Sequence, residues 1–227
     1  METRYHPDEL IHRLSMFHVF YPAAVRVWHW ITFLAISASL ITVLLASTMF
    51  RTQRNVAMVQ EQVQAKGGTV SPLQARAVAH EYSDKLWDVH RYIGFGLCFL
   101  LLSRIVIEMA LSKEQRLIIK IKRALKLERG SRPELNDRRH YIFVKTGYLI
   151  FYLLLFIMVV TGLGLAFEDV PFLRTNHRRI SGIHSFTQYL VYLYILVHIT
   201  GVLIAEFTLK RGIVSAMING GARQDKR

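Results

Sequence analysis

Two histidines on one apolar segment are the residues of this chain best suited to chemistry. His184 and His198 lie fourteen positions apart in IHSFTQYLVYLYILVHITGVLIAE, a stretch long enough to cross a bilayer as a helix. At about 100° per residue, the two imidazoles face nearly the same way, roughly 21 Å apart along the helix axis. Ionisable residues inside a membrane span are functional by default. Because neutral imidazole is a common axial ligand of haem iron, the spacing predicts two stacked metal centres, most naturally haems.

The composition indicates a membrane protein of modest size. Of 227 residues, 52% are hydrophobic, which exceeds the content of a typical soluble domain. Four apolar segments predict an all-α, integral membrane four-helix bundle, with spans at about residues 25–50, 92–111, 141–167 and 184–207. Near one end of the second span lies Arg104, whose guanidinium we expect to extend to the interface. The flanking parts are a predicted cytoplasmic segment, residues 1–24, and a basic cytoplasmic tail, residues 208–227.

Lysine and arginine predict the orientation of the spans. Ten of them lie between Ser112 and His140 and five more in the C-terminal tail, whereas the opposite side carries five in Arg51–Trp87 and three in Glu168–Gly182. By the positive-inside rule, both termini are predicted to be cytoplasmic. The net charge of +13 is then explained by topology and by attraction to anionic lipids, so no nucleic-acid partner is required.

This topology pairs the histidines by depth. His29 lies at the inner start of the first span and His90 at the outer start of the second, so we expect His29 to pair with His198 and His90 with His184. Two bis-histidine haem irons are predicted, one near each surface. The single Cys98, without a Cys-x-x-Cys-His motif, excludes an internal disulfide and covalent c-type haem.

Each of these residues has a plainer alternative. The histidines of the fourth span could instead form hydrogen bonds between packed helices, and His29 or His90 could be an interfacial polar residue. Arg26, one turn before His29, could bind a haem propionate or simply anchor the inner end of the span. We interpret the remaining histidines as ordinary surface residues. They are His6, His12, His18, His80, His140 and His177.

Two connections have helical patterns of their own. The outer connection reads as two short helices, RNVAMVQEQVQAK and SPLQARAVAHEYSD, divided by Gly67 and Gly68, with Ser71 and Pro72 as an N-cap and first-turn pair. The segment 112–130, SKEQRLIIKIKRALKLERG, alternates apolar and basic residues. It is interpreted as an interfacial helix on the inner leaflet, and a docking site for a soluble partner is the alternative.

Several of these motifs resemble a known family. VRVWHW at the first span, His90, the His184/His198 pair and the trailing IVSAMINGGAR are similar to the membrane cytochrome b subunits of nickel–iron hydrogenases, and more widely to bacterial cytochrome b-561 and formate dehydrogenase gamma subunits. The resemblance implies that the four histidines bind two b haems in the bacterial inner membrane. It further implies electron transfer between a periplasmic redox partner and membrane quinone, whose site lies near the inner haem.

The chain also departs from the hydrogenase pattern. Before the third span it has LNDRRHYIF, where a Gly-His-Asn-Pro-like stretch is expected. The partner could therefore be a hydrogenase, a periplasmic cytochrome c or a molybdoenzyme, and a homo-oligomer is possible. Two other functions stay open. One is a stand-alone cytochrome b-561-type quinone oxidoreductase that uses a small molecule such as superoxide, and the other is a non-redox membrane anchor or metal transporter.

Overall fold

The computed structural model describes residues 21–113, 115–126, 132–209 and 212–220, and the regular elements of this part are all helical. In chain order they are α1 (Ala23–Ser47), α2 (Thr52–Ala65), α3 (Pro72–Ala110), α4 (Leu117–Lys126), α5 (Arg132–Ala166), α6 (Pro171–Ile204), a π-helical turn (Ala205–Leu209) and α7 (Ile213–Asn219).

Four of these helical segments are long and apolar enough to cross a membrane. They are Ala23–Ser47, Pro72–Ala110, Tyr141–Ala166 and Pro171–Thr208. The predicted all-α class is therefore confirmed for the described residues, and so is the number of candidate spanning helices, four. The cytoplasmic location of the termini and the number of haems remain predictions.

The second of the predicted short outer helices is the first part of α3. A reciprocal capping box starts this helix, since the Gln74 backbone N–H donates to the Ser71 hydroxyl at 3.3 Å and the Ser71 N–H donates to the Gln74 side chain at 2.9 Å. Pro72 occupies the first helical position, where its missing N–H costs nothing. No glycine or proline follows until the apolar stretch, so the polar segment and the span form one helix.

The break between α2 and α3 lies at the two predicted glycines. Gly67 has a φ of 77°, in the left-handed region that side chains with a Cβ disfavour. Its N–H donates to the Gln64 carbonyl at 2.9 Å, and the Gly68 N–H donates to the Val63 carbonyl at 3.0 Å. These bonds satisfy the last carbonyls of α2 and end the helix.

The chain separates into two compact units, and each is described by itself. The first unit comprises Met1–His29, Ser103–Leu155 and Phe186–Arg227, and the second comprises Trp30–Leu102 and Phe156–Ser185. Buried apolar residues of the first unit are Trp28, Leu117, Ala124, Leu154, Leu155, Ala205 and Ala216. Those of the second are Ala46, Ala75, Ala79, Leu100 and Val159.

α4 is the helical part of the predicted interfacial segment. Its buried residues are Leu117 and Ala124, on the first unit. Lys120 is half-buried on the same helix, and this burial lowers the pKa of its ammonium group although the nearby Glu108 carboxylate opposes the shift. The helix itself is confirmed over these residues, and its position on the inner leaflet stays a prediction.

Candidate functional site

His90 and His184 face each other in the second unit. Their ring centroids are 6.5 Å apart, and the ring planes are inclined at 86°. α3 carries His90 and α6 carries His184, and both side chains are half-buried. The structure thus brings together the two histidines that the sequence pairs near the outer surface.

A threonine hydroxyl orients the His90 ring. Oγ1 of Thr42, on α1, lies 2.8 Å from Nδ1 of His90. The same hydroxyl donates its proton to the Ser39 carbonyl at 2.6 Å, so its oxygen accepts from His90. Nδ1 therefore carries the ring proton, and Nε2 keeps the lone pair that a metal requires.

A second threonine holds His184 in the same manner. Oγ1 of Thr161, on α5, lies 2.8 Å from Nδ1 of His184 and donates to the Ile157 carbonyl at 2.6 Å. Thr161 is only 8% exposed. The ring lies close to the neighbouring Gly162, where a Cβ would come within 3.4 Å of Cε1 of His184. The third span, which has no histidine of its own, thus contributes a hydrogen bond that supports one.

His29 and His198 form the corresponding pair in the first unit. Their ring centroids are 6.4 Å apart, with the planes inclined at 56°. Tyr194 lies one turn before His198 on α6, and its ring is stacked on the imidazole at 6.0 Å with an angle of 7°. Both imidazoles are half-buried, and that of His198 packs against the Tyr194 ring.

Arg26 is tied to the end of the described chain. Its Nη1 donates to the Ile218 carbonyl, in the last turn of α7, at 2.7 Å. Gly220 follows with a φ of 99°, and a Cβ on it would lie 3.2 Å from the guanidinium carbon of Arg26. Nε of Arg26 is buried and has no hydrogen-bond partner within the described residues. The end of α7 and Gly220 therefore pack directly against an arginine one turn from His29.

Arg104 differs from the expectation that its guanidinium extends to the interface. The residue is 8% exposed and its charged group is enclosed by side chains of the first unit, including Glu108 and Tyr152. Hydropathy alone does not predict this burial. A span that is apolar on all sides gives no sign of which face packs against other helices.

The other described histidines lie away from these pairs. His80 is exposed and its Nδ1 contacts the Asp84 carboxylate at 2.7 Å. His177 is exposed as well. Both agree with the interpretation as surface residues. Helix α5 includes His140, whose side chain lies outside the described part, as do His6, His12 and His18.

The dimensions of both pairs suit an iron between two imidazoles. Metal–imidazole bonds are about 2 Å long, and each nitrogen lies roughly 1 Å from its ring centre, so two axial rings have centres about 6 Å apart. The observed separations of 6.4 and 6.5 Å match this distance. The threonine bonds at His90 and His184 add the ligand orientation that metal sites need. The residues present therefore fit a bis-histidine haem.

The sequence reasoning did not find the two threonines. Thr42 and Thr161 each bond to a carbonyl within their own helix, as threonines in membrane helices commonly do. Nothing in their spacing distinguishes them from ordinary helix residues. Only the position of the facing imidazole reveals their role.

One comparison with known proteins gives a match. The family model of prokaryotic cytochrome b561 matches residues 20–220, and these include all four paired histidines. No match to the chain is found among curated proteins or among solved structures. The resemblance inferred from the sequence motifs is thereby confirmed. This chain belongs to the prokaryotic cytochrome b561 family, and it is a haem-b-binding membrane cytochrome of electron transfer.

Proposed function

We propose that the protein is a di-haem cytochrome b of the bacterial inner membrane that transfers electrons between a periplasmic redox partner and membrane quinone. The observation that carries the proposal is the presence of two facing imidazole pairs, at 6.4 and 6.5 Å, each within its own compact unit. Two equal pairs on a small membrane protein favour two metal centres over incidental packing of polar residues.

His29 and His198 hold the inner haem in this proposal, and His90 and His184 hold the outer one. When bound, b haem supplies one-electron redox chemistry, and the protein supplies ligation, orientation and electrostatics. Thr42 and Thr161 keep the outer imidazoles in the tautomer whose Nε2 can bind iron. The stacked Tyr194 fixes the ring angle of His198 in the inner pair.

Arg26 is proposed to bind a propionate of the inner haem. Its Nη1 is anchored on the Ile218 carbonyl, while its buried Nε lacks a hydrogen-bond partner in the part of the chain that the structure describes. Guanidinium groups match the geometry of carboxylates, and a buried donor without an acceptor is costly. A propionate oxygen would satisfy that donor.

The distribution of charge supports the proposed orientation. The Ser112–His140 connection and the C-terminal tail carry fifteen lysines and arginines, against eight in the two connections opposite. With the basic side facing the cytoplasm and its anionic lipids, the His90/His184 pair is nearest the periplasm. A periplasmic redox protein would then exchange electrons with the outer haem, and quinone with the inner one.

Spectra and haem stoichiometry test this proposal directly. We expect a dithionite-reduced minus oxidised spectrum of the purified protein to show a b-type α band, and extracted haem to reach two per chain. Addition of a short-chain quinol, either menadiol or decylubiquinol, should reduce the inner haem. A single haem per chain, or no reduction of haem by either quinol, would overturn the proposal.

A further inference from the structure

Two lysines of the first unit, one on α4 and one at the start of the third span, lie close together. Lys120 belongs to α4, whose Leu117 and Ala124 are buried, and Lys145 lies in the first turns of Tyr141–Ala166. Both lysine side chains are half-buried, and their positive charges are near enough to repel each other. Two like charges in a partly buried place are costly unless a negative group offsets them.

Two tyrosine rings hold the ammonium group of Lys145. Its Nζ lies 4.9 Å from the centre of the Tyr148 ring and 5.4 Å from that of the Tyr141 ring. Aromatic ring faces attract a cation and stabilise it where it is partly removed from water. The rings carry no net charge, however, so they do not neutralise the repulsion between Lys145 and Lys120.

The carboxylate that attracts Lys120 is already engaged elsewhere. Glu108 acts on Lys120, but one of its oxygens lies 2.8 Å from Nη2 of Arg104 and the other accepts the backbone N–H of Leu117. No carboxylate of the described residues lies within ion-pairing distance of Lys120 or Lys145. In the part of the first unit that the structure describes, the two lysines therefore keep an excess of positive charge.

An exposed apolar stripe continues from Lys145 along the third span. Leu149 and Leu153 follow it at four and eight residues, a spacing that places them on nearly the same face of the helix. Their side chains are 40% and 58% exposed. At 1.5 Å per residue, the stripe extends about 12 Å from Lys145 into the span. A positive group at the end of an exposed apolar stripe matches a molecule with a negative headgroup and hydrocarbon chains.

We propose that Lys120 and Lys145 bind the phosphate of an anionic phospholipid, whose acyl chains lie along Leu149 and Leu153. The phosphate brings the negative charge that the two ammonium groups lack, and its oxygens can accept a hydrogen bond from each. In the predicted orientation this site faces the inner leaflet, whose lipids carry negative charge. The inference goes beyond the proposed function, because it requires neither quinone nor a periplasmic partner.

Lys122 distinguishes a defined lipid site from a general attraction between the basic face and the membrane. It follows Lys120 by two residues on α4, about 200° around the helix, and its side chain is exposed. A diffuse attraction would use every exposed cation of this face alike, whereas a defined site depends on Lys120 and Lys145. Lys122→Gln is therefore the matched control, since it removes the same charge from the same helix.

Titration of the delipidated holoprotein in detergent with phosphatidylglycerol tests the site, with the bound lipid counted by native mass spectrometry. The first phosphatidylglycerol should bind more tightly than phosphatidylcholine, whose headgroup has no net charge. Lys120→Gln and Lys145→Gln should each raise its apparent Kd about fivefold, the factor that one basic residue contributes near an anionic surface. Lys122→Gln should leave the Kd nearly unchanged, and Lys145→Arg, which keeps the charge, should bind as the wild type does. Haem content and the dithionite-reduced spectrum show whether each variant is folded.

Exchange into detergent with inorganic phosphate separates a lipid site from a site for a free anion. Phosphate should not remove the retained phosphatidylglycerol, measured after lipid extraction, because the acyl chains also hold it. Removal by phosphate but not by chloride at equal ionic strength would indicate a free-anion site and contradict the inference. An equal loss of affinity in Lys122→Gln, or an unchanged Kd in both Lys120→Gln and Lys145→Gln, would contradict it as well. Lipid binding is measured whether or not quinol reduces the haems, so this result is independent of the proposed function.

Discussion

The hydroxyl oxygen of Thr161 lies 2.8 Å from Nδ1 of His184, although the two residues belong to different membrane-spanning helices. Because the hydroxyl proton is directed to the Ile157 carbonyl, the oxygen acts as acceptor and fixes the imidazole tautomer. A helix without a paired histidine thereby determines which nitrogen of a proposed ligand is available to iron.

Thr161→Val should weaken the outer haem site without abolishing the fold. Valine keeps the shape but leaves the Nδ1 proton of His184 without its acceptor, and loss of such outer hydrogen bonds costs roughly 10–100-fold in metal affinity. We expect a lower outer-haem occupancy and a shifted outer redox wave, measured by haem extraction and potentiometric titration.

Thr161→Ser is the matched control for that change. Serine retains the hydroxyl and should preserve both redox waves. Thr42→Val should reproduce the loss at the outer haem through His90. If Thr161→Val and Thr161→Ser titrate alike, the hydroxyl does not orient the ligand.

Replacement of the proposed ligands should separate the two haems. His90→Ala or His184→Ala removes one of the two imidazoles that would hold the outer haem, so this haem should be depleted. His29→Ala or His198→Ala should do the same to the inner haem. Redox titration of each variant should retain one of the two waves.

Two exposed histidines serve as controls for the ligand variants. His80→Ala and His177→Ala should keep both haems, since neither side chain belongs to a facing pair. Survival of both waves in all four ligand variants would refute the assignment, and loss of a wave in a control would indicate a different pairing.

The sequence was sufficient to pair the histidines but not to identify the threonines that form hydrogen bonds with them. A histidine in an apolar span stands out by composition alone, and the spacing between His184 and His198 places both on one helix face. Thr161 carries no such signal, since its hydroxyl can be satisfied by its own helix. Its function depends on which helix lies opposite, and periodicity within one span does not contain that information.

Helix length and side-chain direction were similarly outside what hydropathy can predict. Hydropathy marks the apolar stretch of α3 near Tyr92, whereas the helix begins at Pro72 because backbone propensity and the Ser71 cap determine its start. Arg104 was expected at the interface, yet it is buried against Tyr152. From the sequence alone, an arginine near the end of a span can either extend its guanidinium to the interface or bury it against neighbouring helices. Only the positions of the neighbouring side chains decide between the two.

Gly220→Ala should alter the inner haem selectively. The residue has a φ of 99°, which a Cβ disfavours, and that Cβ would lie 3.2 Å from the Arg26 guanidinium. Displacement of the cation should lower the inner midpoint potential by on the order of a few tens of millivolts, since a nearby positive charge favours reduced iron. Gly182→Ala, which meets nothing within 4 Å, is the control.

Arg26→Gln should also lower the midpoint potential of the inner haem. The substitution removes the positive charge directly, so its effect on the inner potential should equal or exceed that of Gly220→Ala. An unchanged inner wave in Arg26→Gln would argue against a propionate at this arginine and favour a simple anchor at the end of the span.

Cysteine labelling should establish the orientation of the spans. Lys66 and Lys122 are exposed, in the outer connection and in α4 respectively. With Cys98 replaced by alanine, an impermeant thiol reagent added to intact cells should label Lys66→Cys and leave Lys122→Cys unmodified. Permeabilised cells provide the control that both cysteines can react. The reverse pattern would exchange the roles of the two haems.

Turnover should move charge across the membrane if quinone reacts at the inner haem. An outer partner would deliver electrons to the His90/His184 haem, and the His29/His198 haem would pass them on to quinone near the cytoplasmic surface. Reduction of each quinone takes two electrons and two protons. With the site near the cytoplasm, electrons travel inward and the protons are taken from the inside, so both steps make the interior negative.

Sealed vesicles of known orientation test this consequence. In right-side-out vesicles, electrons from an impermeant external donor should reduce added quinone and generate an interior-negative potential, detected with a potential-sensitive dye. A protonophore should abolish the signal while quinone reduction continues. Electroneutral reduction of quinone in intact vesicles would place the quinone at the outer haem and contradict the proposed direction of electron flow.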